Sequence, residues 1–317
     1  MTLSLSLPDM SLPFDSVCHP QIDPVEAYGV RWAARFMPEP VLDSLRKARA
    51  GRIIAHTSSP DAPLELLQVC TRMASWGFWF DDALSDNVDP ASPHQLPAIL
   101  SVIDLLDGRP GTGAAGENVE AGFRDVMEGM NTVLAADVYA RWACEMRLWL
   151  CSLALQNQQR ATPAIPTPAA YKTMRLYSVC SLPSIVPIDA TWSTAPVDWD
   201  TYWQPQMTAL RLIAADVVAW QNDIFSFFAE QSLPGRFWNL PGVYQALGAT
   251  QGEAMEQAAR DVRNAVAQFQ EREAALTPTL TPAQATHIAS CKQWMRGVHD
   301  WSYEVAERYV GWSELGS

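Results

Sequence analysis

The sequence predicts an all-α protein built around one core, with ligand sites between facing helices. Apolar residues recur at spacings of three and four along most of the chain. Glycine and proline gather in short segments between those runs, and no stretch alternates like a strand ladder. No internal repeat or long low-complexity tract interrupts the pattern.

Residues 1–28, carrying Pro8, Pro13, Pro20 and Pro24 with little periodicity, are expected to form an extended arm, and 29–317 a single helical domain. Helical periodicity covers 29–37, 64–84, 96–106, 118–155, 168–180, 206–230, 253–274 and 284–312. Asp107-Gly108-Arg109-Pro110-Gly111, with Gly113 and Gly116, reads as a loop. Gln156 to Pro168 and Thr277 to Pro282 read as turns. Pro183 and Pro187 are expected to break or kink a helix.

The chain has 317 residues, 48% hydrophobic and 18% charged, enough for a sizeable core. Thirteen tryptophans exceed ordinary usage, and core filling is the plain expectation for most of them. A net charge of −13 argues against nucleic acid or an anionic membrane surface as a partner. It also means that an anionic substrate must be drawn in by local cations or metal. Six scattered cysteines without CxxC or zinc spacing are expected to be reduced thiols of a cytoplasmic protein. No secretory signal is expected at the N-terminus, and no window is long and apolar enough to span a bilayer.

The chemistry concentrates in two segments. In Asn222-Asp223-Ile224-Phe225-Ser226-Phe227-Phe228-Ala229-Glu230, an amide, a hydroxyl and a carboxylate stand at i, i+4 and i+8. On a helix these drift only about 80° around the axis, so all three share a face. Each presents oxygen, the donor Mg²⁺ prefers, and oxygens on an apolar helix are costly unless something binds them. Trp76-Gly77-Phe78-Trp79-Phe80-Asp81-Asp82-Ala83-Leu84-Ser85-Asp86 is an aromatic run ending in paired carboxylates. Helical spacing puts Asp81 with Ser85 and Asp82 with Asp86. The two aspartates repel each other and disfavour a helix C-terminus, penalties that a divalent cation relieves. Mg²⁺ completes its octahedron with water and phosphate oxygens, so the inferred ligand is a Mg²⁺-bound phosphate or diphosphate ester.

Two cationic pieces could complete the site. Arg175, before the Pro183–Pro187 segment, is a candidate diphosphate clamp through its fork of donors. Trp294, Trp301 and Arg308 are spaced by seven with Tyr309 adjacent, which would line them on one helical stripe. The five histidines form no cluster, and neither a P-loop nor a G-x-S-x-G pattern occurs.

These residues together resemble a bacterial class I terpene synthase. Asp81-Asp82-x-x-x-Asp86 resembles its aspartate-rich motif and Asn222-Asp223-x-x-Ser226-x-x-x-Glu230 its NSE triad. Arg175 falls close to its diphosphate-sensor arginine, and Arg308-Tyr309 resembles its RY pair. The resemblance implies a class I terpenoid synthase-like bundle with a central active-site cavity, closing around a prenyl diphosphate. It implies three Mg²⁺ ions, one held by Asn222, Ser226 and Glu230 and others on the aspartate side, through Asp81 chiefly and with Asp86 in the motif. Asp82 would take an arginine hydrogen bond on closure, while Arg175, Arg308 and Tyr309 hold the diphosphate.

As the commonest case in the family resembled, farnesyl diphosphate is the substrate expected. Geranylgeranyl or geranyl diphosphate, a chain-elongating prenyltransferase and a non-catalytic binding protein are the alternatives, and the assembly could be a homodimer. Ionisation leaves an allylic cation that needs a dry aromatic pocket. Gly77, Phe78, Ser178, Val179, Val218, Ala219, Trp294 and Trp301 are expected to line it. Two departures stand out: Ala229 occupies a position that is often lysine, with Arg236 as a candidate substitute. Ser178 and Val179 stand in the slots after the sensor arginine, or Cys180 if the register shifts by one residue.

Overall fold

A computed structural model describes residues 6–192, 197–236, 238–305, 308 and 309, without the side chains of Ala83 and Leu84. Fourteen α-helices occur among them and no strand. The first three are α1 (Ile22–Ala33), α2 (Glu39–Ala48) and α3 (Ala50–Thr57), followed by α4 (Leu64–Asp81), α5 (Gln95–Leu106), α6 (Glu117–Val133) and α7 (Ala136–Arg160). Next come α8 (Pro168–Ser178), α9 (Ser181–Thr191), α10 (Trp199–Trp203) and α11 (Pro205–Glu230). The last are α12 (Leu240–Ala246), α13 (Gln251–Leu276) and α14 (Pro282–Glu304).

Helix α11, with apolar residues on most of its surface, packs against both α13 and α14. Helix α4 packs against α1, α3 and α6, while α7 lies on α5, α8 and α9. One contiguous set of buried side chains runs from Met10 to Tyr309. Eight tryptophans (32, 76, 79, 142, 149, 220, 294 and 301) are buried in it, as a core-filling role requires. Two glycines set the spacing beside the site. A Cβ on Gly51 would collide with the backbone of Glu26, and one on Gly297 with the backbone carbonyl of His56. Helix α3 is therefore squeezed between α1 and α14 at distances only glycine permits.

Four boundaries differ from expectation. Helix α1 begins at Ile22, inside the expected arm, because Pro24 sits in its first turn, where no amide hydrogen bond is lost. The run 118–155 is two helices, parted at Leu134-Ala135, where the backbone becomes extended. The break near the two prolines falls earlier, at Cys180, which takes a left-handed φ of 62°. Pro183 lies in the first turn of α9 and is tolerated there. Finally, α14 ends at Glu304; residues 306, 307 and 310–312 of the expected helix lie outside the described residues.

Candidate active site

Helix α4 runs as regular α-helix to Asp81 and then widens into a single π-helical turn, Asp82–Asp86. The amide of Asn87 donates to the carbonyl of Asp82 at 3.1 Å, closing that turn over five residues. Such wide turns concentrate at functional sites. Here it changes which side chains share a face. Ser85 turns into the interior and donates to Asn157, rather than accompanying Asp81. Asp86, five residues after Asp81, returns to the same side, so Asp81, Asp82 and Asp86 all line one hollow.

Asn222, Ser226, Ala229 and Glu230 form the opposite wall of that hollow, on α11. The triad is already wired: the Ser226 hydroxyl donates to Glu230 Oε1 at 2.6 Å, and Asn239 Nδ2 donates to Glu230 Oε2 at 2.8 Å. Arg175, on α8, donates through Nη2 to Asn222 Oδ1 and through Nε to Asp223 Oδ1, both at 2.7 Å. Asp223 points away from the hollow. Its other oxygen takes the Tyr171 hydroxyl and the Leu240 amide, so it anchors Arg175 rather than a metal. Arg308 reaches the site from a turn after α14, its amide bonded to Val305 O, not from a continuous helical stripe. Its two terminal nitrogens grip both oxygens of Asp82 at 3.1 and 3.2 Å. Asn222 Nδ2 donates to the Tyr309 hydroxyl at 3.3 Å.

The polar hollow has a volume of about 260 Å³ and adjoins an apolar pocket of about 130 Å³. Asp81, Arg175, Asn222 and Arg308 line both, so they form the floor of one and the roof of the other. Gly77, Phe78, Val179, Val218, Trp294 and Trp301 line the pocket as expected. Phe78 stacks on Trp301 with ring centroids 5.8 Å apart, and the Arg308 guanidinium lies 4.9 Å from the Phe78 ring centre. Ser178 and Ala219 do not line it. The Ser178 carbonyl accepts a hydrogen bond from Trp149 Nε1, which holds that residue in the core, and Ala219 is fully buried on another face of α11. Cys180 takes the wall position instead.

Sequence reasoning also missed Ile53, Ile54, Met73 and Trp149 in the pocket, and Ser44, Lys47 and Gln156 around the polar hollow. A signal existed for α2: Pro40 in the first turn and Leu42 and Leu45 on one face mark a short amphipathic helix. Arg236, the candidate substitute cation, points elsewhere, donating to Pro163 O at 2.7 Å and covering Trp238.

The carboxylates carry the electrostatic signature of a cation site. Burial, reinforced by the neighbouring Asp82, pushes Asp81 up to about 7. Burial and Asp223 push Glu230 up to about 7, and burial with the surrounding acids holds Asp86 well above the ordinary carboxylate range. Asp81 Oδ1 is buried without any hydrogen-bond partner. Hard oxygen donors, crowded, dehydrated and in one case orphaned, fit Mg²⁺. Among the described residues no three His, Cys, Asp or Glu side chains group into a self-sufficient metal site. The donors are split between two walls, an arrangement that leaves coordination positions for a ligand's own oxygens.

An all-α bundle with facing acidic and Asn/Ser/Glu walls over an aromatic pocket defines a protein of the class I terpenoid synthase fold. Residues 72–268 match the model of terpene synthase family 2, C-terminal metal binding, and the chain belongs to that family. It is 30% identical over 309 residues to the farnesyl diphosphate-cyclizing (+)-corvol ether B/(+)-corvol ether A synthase of Kitasatospora setae, covering 96% of this chain and 95% of that one. A sesquiterpene synthase of Metarhizium brunneum is 29% identical, covering 97% and 90%. Among solved structures, 2-methylisoborneol synthase from Streptomyces coelicolor A3(2), in complex with Mg²⁺ and 2-fluoroneryl diphosphate, superposes with a TM-score of 0.86. The two are 20% identical, with 96% and 98% of the chains covered, a likeness of fold.

Proposed function

We propose that this terpene synthase ionises farnesyl diphosphate and cyclises the resulting cation, releasing diphosphate and a cyclic sesquiterpene hydrocarbon or alcohol. One observation carries the reading: Asp81 and Glu230, on separate helices, line a single polar hollow that shares Asp81, Arg175, Asn222 and Arg308 with an adjoining aromatic pocket. The relatives named above as farnesyl diphosphate-cyclizing or sesquiterpene synthases, aligned over nearly their whole length, support the chain length of the substrate.

Asp81 and Asp86 on one wall, and Asn222, Ser226 and Glu230 on the other, would hold three Mg²⁺ ions together with the diphosphate. Bound there, the ions would neutralise charge developing on the leaving diphosphate. Arg175, fixed by Asp223 and Asn222, presents its guanidinium at the boundary between hollow and pocket, where the C–O bond would break. Arg308 and Tyr309 stand on the other side of that boundary and would donate to diphosphate oxygens. Beneath them, the π faces of Phe78, Trp294 and Trp301 would stabilise the cation by about 0.5–2 kcal/mol each and exclude water. The pocket walls below the roof offer no carboxylate or imidazole among the described residues, so the departing diphosphate is the natural acceptor of the final proton.

Incubation with geranyl, farnesyl and geranylgeranyl diphosphates plus Mg²⁺, followed by gas chromatography–mass spectrometry and diphosphate release, tests the reading. Farnesyl diphosphate should give a cyclic C15 product. Exclusively chain-lengthened diphosphates would reassign the protein as a prenyltransferase, and no turnover of any substrate would leave a binding protein.

A further inference from the structure

We propose that Lys47 of α2 is a further diphosphate ligand, supplying the rim of the hollow with a cation free to bind substrate. The inference deepens the reading of the site as a prenyl diphosphate site and rests on it. Three lysine or arginine side chains line the polar hollow among the described residues: Lys47, Arg175 and Arg308. Arg175 is committed to Asp223 at 2.7 Å, and Arg308 to both oxygens of Asp82. Lys47, exposed at the rim, makes no hydrogen bond or ion pair with any described residue, although Asp81, Asp82, Asp86 and Glu230 line the same hollow.

Its neighbours make that isolation informative. Arg46, the adjacent residue, is paired with Glu39 and Asp43 on the outer side of α2. Ser44, one turn before Lys47, lies on the same wall of the hollow, with its hydroxyl 3.5 Å from Asp82 Oδ2. Helix α2 thus turns one polar edge towards the aspartate motif and keeps the other in solvent. On the α11 wall the last residue before Glu230 that lines the hollow is Ala229, which offers a methyl group only. A diphosphate seated between the walls would therefore meet two arginines already sharing their charge and one ammonium group that is not. Lys47 would act as a mobile point charge, bound to the terminal phosphate rather than to the protein.

Titration calorimetry with inorganic diphosphate in excess Mg²⁺, together with steady-state kinetics, tests this. Lys47→Ala should weaken diphosphate binding about tenfold and raise KM, with an unchanged helical circular dichroism spectrum. Lys47→Arg should stay within about threefold of wild type. Adding Ala229→Lys to Lys47→Ala should recover most of the lost affinity, by returning the charge from the opposite wall. Arg46→Ala, which removes an equal charge outside the hollow, should leave binding unchanged. Wild-type affinity in Lys47→Ala, or an equal loss in Arg46→Ala, would overturn the assignment. A wild-type protein that neither binds diphosphate with Mg²⁺ nor turns over a prenyl diphosphate would overturn the reading beneath it instead.

Discussion

Arg308 and Asp82, 226 residues apart, meet through two parallel hydrogen bonds of 3.1 and 3.2 Å at the boundary between the polar hollow and the apolar pocket. The pair ties the aspartate motif to the C-terminal segment, and the same guanidinium lies over Phe78. Each group is about one quarter exposed, so screening limits what the pair contributes to stability. Its position gives it a larger part in geometry: it holds the last described residues across the mouth of the site.

A double-mutant cycle should expose that coupling. Asp82→Ala and Arg308→Ala should each lower kcat/KM at least tenfold, and the double variant should lose less than the product of the two. A coupling of about 1 kcal/mol is expected for interacting neighbours. Strictly multiplicative losses would mean that the two residues serve the reaction independently.

Protons and Mg²⁺ should compete for the same oxygens. Asp81 and Glu230 are raised to about 7 by burial and neighbouring acids. Without metal, the folded state therefore holds these protons up to near neutrality, whereas the unfolded chain releases them near pH 4. Their contribution to stability falls as pH rises from about 4 through 7. Mg²⁺ plus inorganic diphosphate, which binds the ionised forms, should raise the melting temperature more at pH 8 than at pH 6. An equal shift at both values would take these carboxylates out of the cation site.

The site was legible where helix geometry alone decides it. Asn222, Ser226 and Glu230 share a face because positions i, i+4 and i+8 must, and the structure places them on one wall. Legibility failed where the backbone departs from the regular helix. The π turn turned Ser85 inward, and the break at Cys180 put that residue, not Ser178, on the pocket wall. Neither event has a glycine or proline marker at the position itself. Lys47 and Ile54 escaped because the lining depends on how α2 and α3 pack against α4, information carried by three-dimensional contacts such as that of Gly51 with Glu26.

Gly77 separates the demands of the fold from those of the chemistry. It lies inside α4, where glycine costs about 1 kcal/mol relative to alanine, and a Cβ built on it meets nothing within 4 Å. The space above it belongs to the apolar pocket. Gly77→Ala should therefore stabilise the protein by about 1 kcal/mol in urea denaturation while changing the product mixture. Gly77→Leu should fold and should favour geranyl over farnesyl diphosphate, measured as a ratio of kcat/KM values. Unchanged products and substrate preference in both variants would place the prenyl chain elsewhere.

Arg160 joins the two halves of the site from behind. Its guanidinium is buried and donates to Ser85 O and Asp86 O at 2.8 Å, and to Pro234 O at 2.7 Å. It thereby links the end of the aspartate motif to the loop that follows Glu230. Arg160→Met should cost about 3 kcal/mol, since buried carbonyls lose their donors. Arg160→Lys, with a single donor group in place of a fork, should regain part of that stability. It should still bind Mg²⁺ and diphosphate several-fold more weakly, because the walls are no longer held in register. Wild-type affinity in the lysine variant would reduce Arg160 to a packing role.

A second buried charge network, on the pocket's far side, predicts an alkaline limit to the fold. His287 on α14 places Nδ1 2.8 Å from Asp189 Oδ2 on α9, and both are almost wholly buried. Burial opposes charge on the ring, but the Asp189 carboxylate, with Cys291 and the hydrogen bonds they make, holds its pKa up to about 10. The folded state thus keeps a proton that the unfolded chain releases near 6.5. That stabilisation is complete below about pH 6.5 and is lost progressively as pH rises through 10. His287→Gln should destabilise the protein strongly at pH 7 and much less at pH 10, by urea denaturation at each pH. Titrating groups remote from His287 change alike in both proteins and cancel in the difference. A destabilisation independent of pH would mean that the histidine is neutral, and that α9 and α14 are joined there by packing and hydrogen bonds alone.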